Sequence, residues 1–319
     1  MKFFIFNFNS DLHLIDGFLE SASQAHKIQK KTRDWFLWKF RDNPYGESIL
    51  ACAEVDGKII GCVAYGAQTF MIENETVKGA FAFENFVHPD YQGKGLFGDL
   101  ITLSEKETKI RGIQILLVFP NKNSLRGYKK RGWIQENIIE YWLKPSNPLK
   151  IMFNLNNLKK TFEPSKSNLK VLNLYGLSLS EFHLKSKTFQ AVVDLSYLKW
   201  RFYIYPVSKY IVVNNESFFS IAREGNRGVL KEVQVLYSIS KNNENLDLKA
   251  MIREYRIKNE FDLISFPVSK NNPIKKQFSS NFIFKVPNHT NMFYKTLDDT
   301  TEHIDVSKIS ISAINYHTY

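Results

Sequence analysis

Hydrophobic residues recur along the first 145 positions at spacings that alternate between strand-like and helix-like. An apolar start at 1–8 predicts a buried first strand, and apolar residues at helical spacing over 12–19 predict a first helix. A second helix is predicted at 35–40. The strands predicted after it lie at 49–55, 58–65, 70–77, 80–87, 113–119 and 138–143.

The two cysteines flank a predicted hairpin. Asp56-Gly57 favours a two-residue turn, because glycine adopts positive φ without strain. In the register set by that turn Cys52 faces Gly61, which places Cys52 and Cys62 on opposite faces of the sheet. The sequence therefore predicts two buried thiols, not joined to each other, in a reducing compartment.

Two short strings recur in the same order in the second half of the chain. Trp38-Lys39-Phe40 recurs as Trp200-Arg201-Phe202, each followed by three residues and a proline, and Leu116–Pro120 recurs as Leu263–Pro267. The offset falls from 162 residues (200 − 38) to 147 (267 − 120). We predict a duplicated unit whose second copy is about fifteen residues shorter between these marks.

Composition narrows the class of protein. The 319 residues suffice for two domains, the hydrophobic content of 44% excludes a disordered chain, and two cysteines exclude a disulfide scaffold. No apolar run reaches about 18 residues, so no membrane-spanning helix is expected, and a soluble cytoplasmic protein is predicted. The net charge of +11 indicates an anionic partner, for which nucleic acid, a membrane surface and a phosphorylated metabolite all qualify. No nucleic-acid-binding signature accompanies the charge, and no Cys/His spacing indicates a metal.

A loop with the features of an anion site follows the strand that ends at Val87. Gln92-Gly93-Lys94-Gly95 opens a helix, and its glycines let outward N–H groups approach a ligand at the positive end of the helix dipole. The loop lacks the Gly-Lys-Ser/Thr ending of a Walker loop and the spacing of a dinucleotide fingerprint. By itself it predicts only an anion site.

Two motifs give this loop a context. At 87–96 the chain reads Val-His-Pro-Asp-Tyr-Gln-Gly-Lys-Gly-Leu, and Asn121 lies seven residues before Tyr128, with a Gly-Trp step at 132–133. In both motifs residues 1–144 resemble the GNAT superfamily of acyl-CoA-dependent N-acyltransferases. The resemblance implies an α/β fold (an α+β mixed sheet) in which a central, mostly antiparallel, twisted sheet is flanked by helices. With the internal repeat, it implies tandem GNAT-like domains.

The resemblance implies acetyl-CoA as co-substrate, without a metal. Its pyrophosphate would be held by backbone N–H groups of 92–96, and its pantetheine arm would pair with the strand edge ending at Val87. Phe97 is bulky where the family has a small residue, with Gly98 one place on, so one phosphate contact departs from the family pattern. The implied cofactor-binding residues are Phe86, Val87, Gln92, Gly93, Lys94, Gly95, Leu96, Phe97, Asn121 and Asn123.

The resemblance also implies catalytic roles for two residues. Tyr128 matches the family's general acid, which gives a proton to the leaving thiolate. Glu84 lies where family members often place a carboxylate that binds the acceptor amine or deprotonates it through water. His88 has a suitable pKa for a base, but its place is the strand end before the loop, which favours a structural role.

The second half lacks both the glycine loop and the tyrosine. Ser240–Leu246, where a phosphate loop is expected, contains no glycine, and Lys275, Lys276, Phe278 and Phe282 stand near the places of Tyr128 and Trp133. We predict a GNAT acyltransferase domain at 1–144, a linker at 145–168 and a degenerate GNAT-like domain at 169–319, which closes the acceptor cleft or braces the active domain.

The predicted function is an acetyl-CoA-dependent N-acetyltransferase that acts on a small amine, for which a free or nucleotide-linked amino sugar is an example. One alternative is a tandem GNAT-like transferase that takes aminoacyl groups from tRNA, although such enzymes usually lack an intact pyrophosphate loop. Another is a protein that binds CoA without catalysis.

Overall fold

The computed structural model describes residues 1–72, 75–166, 189–204, 208–241, 246–297 and 305–316. These residues fall into two compact units. The first contains Met1–Glu136 and Met292–Val306, and the second contains Asn137–Asn291 and 307–316. Each unit is therefore built from two separate stretches of the chain.

Both units combine helices and strands. Up to residue 136 the elements are β1 (Lys2–Ile5), α1 (Ile15–His26), α2 (Arg33–Phe40), β2 (Ile49–Val55), β3 (Lys58–Ile72), β4 (Glu75–Val87), α3 (Leu96–Ile110), β5 (Ile115–Val118), α4 (Lys122–Lys129) and the start of β6 (Ile134–Pro145). They continue with α5 (Pro148–Met152), β7 (Glu163–Pro164), β8 (Gln190–Ala191), α6 (Leu195–Leu198), a π-helix (Lys199–Ile204), β9 (Tyr210–Asn214), β10 (Phe218–Arg227), β11 (Leu230–Ser240), α7 (Leu248–Lys258), β12 (Leu263–Ser269), β13 (Phe284–Thr296) and α8 (Ala313–Tyr316).

The sheet of the first unit has the strand order β1-β2-β3-β4-β5, followed by the last residues of β13. All described neighbours are antiparallel except β4 and β5, which are parallel. α3 packs on one face of the sheet through Leu96, Leu100 and Ile101. The other face carries an aromatic cluster in which Phe18 of α1 contacts Phe86 of β4.

β4 and β5 separate partway along their length. Their parallel pairing begins at Gly79↔Ile115 and ends at Ala82↔Val118. β4 continues for five more residues, to Val87 (87 − 82). The part of β4 that precedes the glycine loop therefore has no described partner in β5.

A β-bulge interrupts the β3–β4 ladder at the same place. The register changes between Cys62↔Phe86 and Ala64↔Phe83, so that two residues of β4, Glu84 and Asn85, stand opposite one residue of β3. Glu84 has a φ of 52°, in the left-handed region that side-chain-bearing residues seldom adopt. The bulge therefore sets the directions of the Glu84 and Asn85 side chains.

The second unit repeats this arrangement. Its strand order is β13-β6-β12-β11-β10-β7, with β9 also paired to β10. β11 and β12 are parallel and pair only from Glu232↔Leu263 to Gln234↔Ser265. A register shift again interrupts the preceding antiparallel pair, next to Ala222.

Pairing registers support the predicted duplication. Ala80 pairs with Leu116 in the first unit and Glu232 with Leu263 in the second, which aligns the two recurring strings. The helix that follows begins 16 residues later in both units, at Leu96 (96 − 80) and at Leu248 (248 − 232). The proline that ends the second tryptophan string, Pro206, lies outside the described residues.

The missing residues of the second copy can be located from these registers. The difference in residue number between corresponding positions is 158 at Ala64 and Ala222. It falls to 152 after the hairpin that joins β3 to β4 and β10 to β11, and it is 147 at Leu116 and Leu263. The hairpin is therefore six residues shorter, and the segment with the helix five residues shorter. α7 indeed has 11 residues where α3 has 15.

The compact units do not end at the predicted boundaries of 144 and 168. β6 leaves the first unit after Glu136 because its later residues pair with β12, and the end of β13 joins the first unit because it pairs with β5. The predicted linker contains α5, and β7 pairs with β10. Strand pairing between distant parts of the chain accounts for both differences.

The prediction that Cys52 and Cys62 lie on opposite faces was wrong. The turn at Asp56-Gly57 forms, but Ile60 is an extra residue in β3, and Cys52 pairs directly with Cys62. Both thiols are free and fully buried, as expected for core residues. In the part of the chain that the structure describes, no helix is long and apolar enough to cross a membrane.

Candidate active site

The glycine loop lies exposed at the end of β4, before α3. Gly93 and Gly95 have φ values of 77° and 83°, and Gly95 is the N-cap of α3. A Cβ atom added at either glycine would meet nothing within 4 Å, so the space beside the backbone is open. The glycines are needed for the backbone conformation rather than for packing.

The loop presents a row of available backbone donors. Among the described residues, no group accepts a hydrogen bond from the N–H of Gly93, Lys94, Gly95, Leu96 or Phe97. The N–H of Gly98 is the first that is used, by the carbonyl of Gly95 at 2.8 Å. Consecutive free N–H groups at a helix N-terminus form a site that suits phosphate groups.

Side chains hold the loop in place from its two ends. Gln92 Nε2 donates to the carbonyl oxygen of Val87 at 2.9 Å, which ties the loop to the end of β4. Lys94 Nζ donates to the carbonyl oxygen of Asp90 at 3.1 Å and lies 5.2 Å from the ring centre of Tyr91. The Lys94 side chain therefore lies against its own loop.

Phe97 is compatible with the loop because its ring turns into the core. It packs edge-on against Tyr128, with ring centres 5.7 Å apart, and against Gly127. At Gly98 a Cβ would lie 1.7 Å from the guanidinium of Arg131, so a larger residue there would have to displace the end of that side chain. Arg131 Nε donates to the carbonyl of Gly98 at 2.7 Å, so a cation lies at the first turn of α3.

Tyr128 lies near the end of α4 and is fully buried. Its hydroxyl oxygen accepts a hydrogen bond from Asn85 Nδ2 at 2.6 Å, in the part of β4 that has separated from β5. Burial and the nearby Glu105 carboxylate raise the pKa of Tyr128, although the Asn85 hydrogen bond opposes this. The phenol therefore keeps its proton at neutral pH.

A polar network lies on the side of Tyr128 that contacts Trp133. The ring of Trp133 packs against it at 4.8 Å, and Trp133 Nε1 donates to Glu105 at 2.7 Å. Lys295 of β13 donates to the other Glu105 oxygen at 2.6 Å and to the carbonyl of Arg131 at 2.9 Å. The strand contributed by the C-terminal part of the chain thus braces the tyrosine's surroundings.

Glu84 occupies the bulge and faces a different set of residues. Burial raises the pKa of its carboxyl group, while the positive charges of Lys39, His26 and Lys31 act in the opposite direction. These three residues belong to α1 and α2 or the segment between them. Glu84 and Tyr128 are therefore approached from different faces of β4, and Asn85 connects the strand to Tyr128.

The remaining predicted site residues have mainly local contacts. His88 Nδ1 accepts from the N–H of Asp90 at 3.3 Å, and its Nε2 lies 2.6 Å from Gln24 Oε1, so both ring nitrogens have partners. Asn121 caps α4 by accepting from the N–H of Asn123 and of Ser124, each at 3.0 Å. Asn123 is exposed, and Phe86 buries its ring against Phe18.

The second unit fills the equivalent places with its own atoms. The N-cap of α7, which corresponds to Gly95, is Asp247, whose carboxylate accepts from the N–H of Ala250 at 2.9 Å. Phe278 corresponds to Tyr128. The Tyr128 carbonyl accepts a hydrogen bond from the N–H of Trp133, and the Phe278 carbonyl accepts one from the N–H of Ile283, five residues on in both units. Phe282 therefore matches Gly132 and not Trp133, and Asn242 to Asn245 of the predicted loop lie outside the described residues.

The separated ends of β11 and β12 are also filled. Ser312 pairs with Val268, and the N–H of Ser269 donates to the carbonyl of Ile311 at 2.9 Å. α8 packs on both strands, and Ile311 is fully buried. In the second unit a segment of the chain therefore lies at a place where, among the described residues of the first unit, β5 no longer pairs with β4.

A cavity of about 350 Å³ lies elsewhere in the first unit. It is lined by residues near the start of β4 and the end of α3, including Glu47, Lys78 and Arg111. None of the predicted site residues lines it. The cavity is therefore distinct from the site around the loop and Tyr128.

Comparison with known proteins finds a match to part of the first unit. Residues 12–135 match the family model described as an acetyltransferase (GNAT) domain. The chain is also 31% identical, over 143 residues, to an uncharacterized N-acetyltransferase of Methanocaldococcus jannaschii. That match covers 41% of this chain and 61% of the relative, which is less than two thirds of its length.

Solved structures share the fold at low sequence identity. A GCN5-related N-acetyltransferase from Anabaena variabilis superimposes with a TM-score of 0.63 at 11% identity, covering 93% of this chain and 73% of that one. Saccharomyces cerevisiae N-myristoyltransferase with bound myristoyl-CoA gives a TM-score of 0.55 at 10% identity, covering 100% of this chain and 85% of that one. Together with the mixed sheet, these matches confirm the predicted fold class. Residues 12–135 therefore match a GNAT acetyltransferase domain in sequence, and the fold of the chain agrees with that match.

Proposed function

We propose that the protein is an acetyl-CoA-dependent N-acetyltransferase that acts on a small amine. The observation that carries the proposal is the row of N–H groups from Gly93 to Phe97, which no described residue accepts from, next to a strand edge that has no described partner in β5 beyond Ala82. The family match of the same residues supports it. Its acyl group would come from the thioester of acetyl-CoA, which supplies an activated carbonyl carbon.

The loop fits the pyrophosphate of acetyl-CoA on physical grounds. Five N–H groups at the positive end of α3 have no acceptor among the described residues, and a Cβ atom at Gly93 or Gly95 would meet no described atom within 4 Å. The Arg131 guanidinium, bound to the carbonyl of Gly98, adds positive charge at the same turn. Lys94 contributes less, because its side chain is engaged with Asp90 and Tyr91.

The strand edge fits the pantetheine arm. The N–H of His88 donates to the carbonyl of Ile60 in β3 at 2.7 Å. Because successive residues of a strand point their backbone groups to opposite edges, the N–H of Val87 faces the open side. It would pair with the arm or stabilise negative charge on the thioester oxygen. The predicted contribution of Phe86 would be limited to its main chain, because its side chain is buried.

The two predicted catalytic residues would divide the proton transfers. The reaction joins the amine nitrogen to the acyl carbon and breaks the carbon–sulfur bond. Glu84 would hold the amine and take its proton directly or through water, and its raised pKa brings it nearer to the range of an effective base. Tyr128 would give its proton to the leaving sulfur.

The acceptor is proposed as a small amine, of which amino sugars are one class. Glu84 lies close to the positive charges of Lys39, Lys31 and His26. An amine that also carries an anionic group would suit this combination of charges. A cytoplasmic location is part of the same proposal.

The proposal is tested by measuring thiol release from acetyl-CoA with a panel of amino sugars, nucleotide-linked amino sugars, polyamines and amino acids. Tyr128→Phe should lower kcat by about 10²-fold or more, while the affinity for CoA is retained. Tyr65→Phe is a matched control, because Tyr65 is also buried and stacks on Trp133. Equal activity of Tyr128→Phe and wild type would remove Tyr128 from the mechanism.

A further inference from the structure

Asn85 was not among the residues singled out by the sequence, yet it makes two hydrogen bonds that matter for Tyr128. Its Oδ1 accepts from the backbone N–H of Ala64 at 2.8 Å, and its Nδ2 donates to Tyr128 Oη at 2.6 Å. The bulge in β4 brings Asn85 to this position, two places before Val87. The side chain therefore spans from β3 to α4.

The first of these bonds fixes the orientation of the Asn85 amide. A backbone N–H can only donate, so the atom facing Ala64 must be the amide oxygen. The atom facing Tyr128 is then the amide nitrogen, which can only donate. Tyr128 Oη consequently acts as the acceptor in its bond with Asn85, and the phenolic proton must point elsewhere.

No described group accepts that proton. Within the part of the chain that the structure describes, the hydrogen bond from Asn85 is the one that reaches Tyr128 Oη. The hydroxyl lies at the level of Asn85, beyond Ala82, where β4 has parted from β5. A buried donor without a partner is costly unless a ligand accepts from it.

We propose that Asn85 is a positioning residue that turns the Tyr128 proton toward the separated edge of β4, ready for the sulfur of a bound thioester. The inference rests on the proposed function, because it names how the acid of that site is oriented. It also explains the bulge: without the extra residue in β4, the alternation of side chains would direct Asn85 to the other face.

The decisive variant is Asn85→Asp, assayed at pH 8.5 so that the new carboxyl group is ionised. It has nearly the same shape and still accepts from Ala64, but it must accept from Tyr128 as well, which turns the phenolic proton inward. We expect kcat to fall about as far as in Tyr128→Phe, on the order of 10²-fold, with KM for acetyl-CoA unchanged. The double variant with Tyr128→Phe should be no slower than the slower single variant.

A purely structural role for Asn85 predicts the opposite result. Asn85→Asp would then keep wild-type kcat, because the anchor to Ala64 is preserved, and the proposal would be overturned. Asn85→Ala is the comparison that removes both hydrogen bonds, and it should lower both thermal stability and kcat. If Asn85→Ala alone affected turnover, Asn85 would be only an anchor.

A measurement without turnover separates this inference from the proposed function. In protein labelled with ¹³Cζ-tyrosine, the Tyr128 resonance is identified by its absence in Tyr128→Phe. We expect it to shift in Asn85→Asp, because its hydroxyl changes from acceptor to donor. An unchanged resonance would overturn the positioning role, even in an active enzyme. A shifted resonance in a protein that transfers no acyl group would support the hydrogen bond between Asn85 and Tyr128 and would overturn the proposed function.

Discussion

The side-chain amide of Gln92 donates a 2.9 Å hydrogen bond to the carbonyl oxygen of Val87. The first residue of the glycine loop is thereby tied to the last residue of β4, whose edge has no described partner in β5 beyond Ala82. Both parts of the cofactor site proposed here, the phosphate loop and the strand edge, depend on the distance between these two residues.

Replacing Gln92 by glutamate should loosen this tie. Gln92→Glu places a carboxylate against the Val87 carbonyl oxygen, so that two acceptors face each other next to the phosphate site. We expect the affinity for CoA, measured by calorimetry, to fall by about tenfold or more. Lys94→Met is the control, because it removes a positive charge from the same loop without touching the tie. A larger loss in Lys94→Met than in Gln92→Glu would show that the lysine holds the anion.

Gly95 and Asp247 hold corresponding N-cap positions in the two units. We therefore expect Gly95→Asp to reproduce in the first unit the self-capped, acidic helix end of the second, and to weaken CoA binding by at least about tenfold. Gly112→Asp is a matched control, since Gly112 also has a positive φ, of 71°, and open space beside it. Equal CoA binding by the two variants would contradict the role of Gly95 in the phosphate site.

The raised pKa of Glu84 predicts the pH dependence of turnover. If Glu84 takes a proton from the amine, kcat/KM should rise with pH along an acidic limb whose midpoint lies above the ordinary value of 4.5. Lys39→Met removes a charge that lowers this pKa, so it should move the limb to higher pH. Glu84→Gln should abolish the limb. A limb that persists in Glu84→Gln would assign the base to another group.

Glu140 predicts how the second unit responds to acid. Its carboxylate is buried, which by itself raises the pKa, but hydrogen bonds from Lys275, Lys285 and Trp142 outweigh burial and lower the pKa to about 2. Lys285 Nζ donates at 2.6 Å, and Lys275 makes a second ion pair. Because the folded state binds this proton less readily than the unfolded state, stability is present above about pH 4.5 and is lost as pH falls toward 2.

Glu140→Gln should remove that part of the acid dependence. Urea unfolding should show the variant to be less stable than the wild type by about 2–3 kcal/mol at neutral pH, and this difference should shrink toward zero as the pH falls from 4.5 to 2. Lys285→Met, which removes one of the two lysines, should have an intermediate effect. A variant that unfolds in acid in parallel with the wild type would contradict the role of Glu140.

Local signals in the sequence were sufficient for the loop and its neighbours. The glycines at 93 and 95 predicted a loop that opens a helix, and the structure has left-handed backbone at both, directly before α3. The spacing from Asn121 to Tyr128 singled out a tyrosine that the structure places near the end of α4. The recurring strings at Leu116 and Leu263 correspond in their strand registers as well. These features depend on residues close together in the chain, which is why the sequence shows them.

Bulges and distant pairings could not be foreseen. An extra residue in β3 brought Cys52 opposite Cys62, and an extra residue in β4 aimed Asn85 at Tyr128. The β3 bulge lies in an apolar stretch, so alternation gives no warning of it, and the two adjacent polar residues Glu84 and Asn85 do not by themselves identify a bulge in β4. The pairing of β13 with β5, which carries Lys295 to Glu105, joins segments about 180 residues apart and leaves no local signal.

Calorimetric titration of the wild-type protein with CoA tests the central claim most directly. The account predicts saturable binding of one CoA per chain, because the first unit has a free loop and the second has Asp247 at its helix end and residues 309–314 beside β12. Binding of two CoA molecules per chain would contradict the distinction between the units. No binding at millimolar concentration would contradict the proposed function itself.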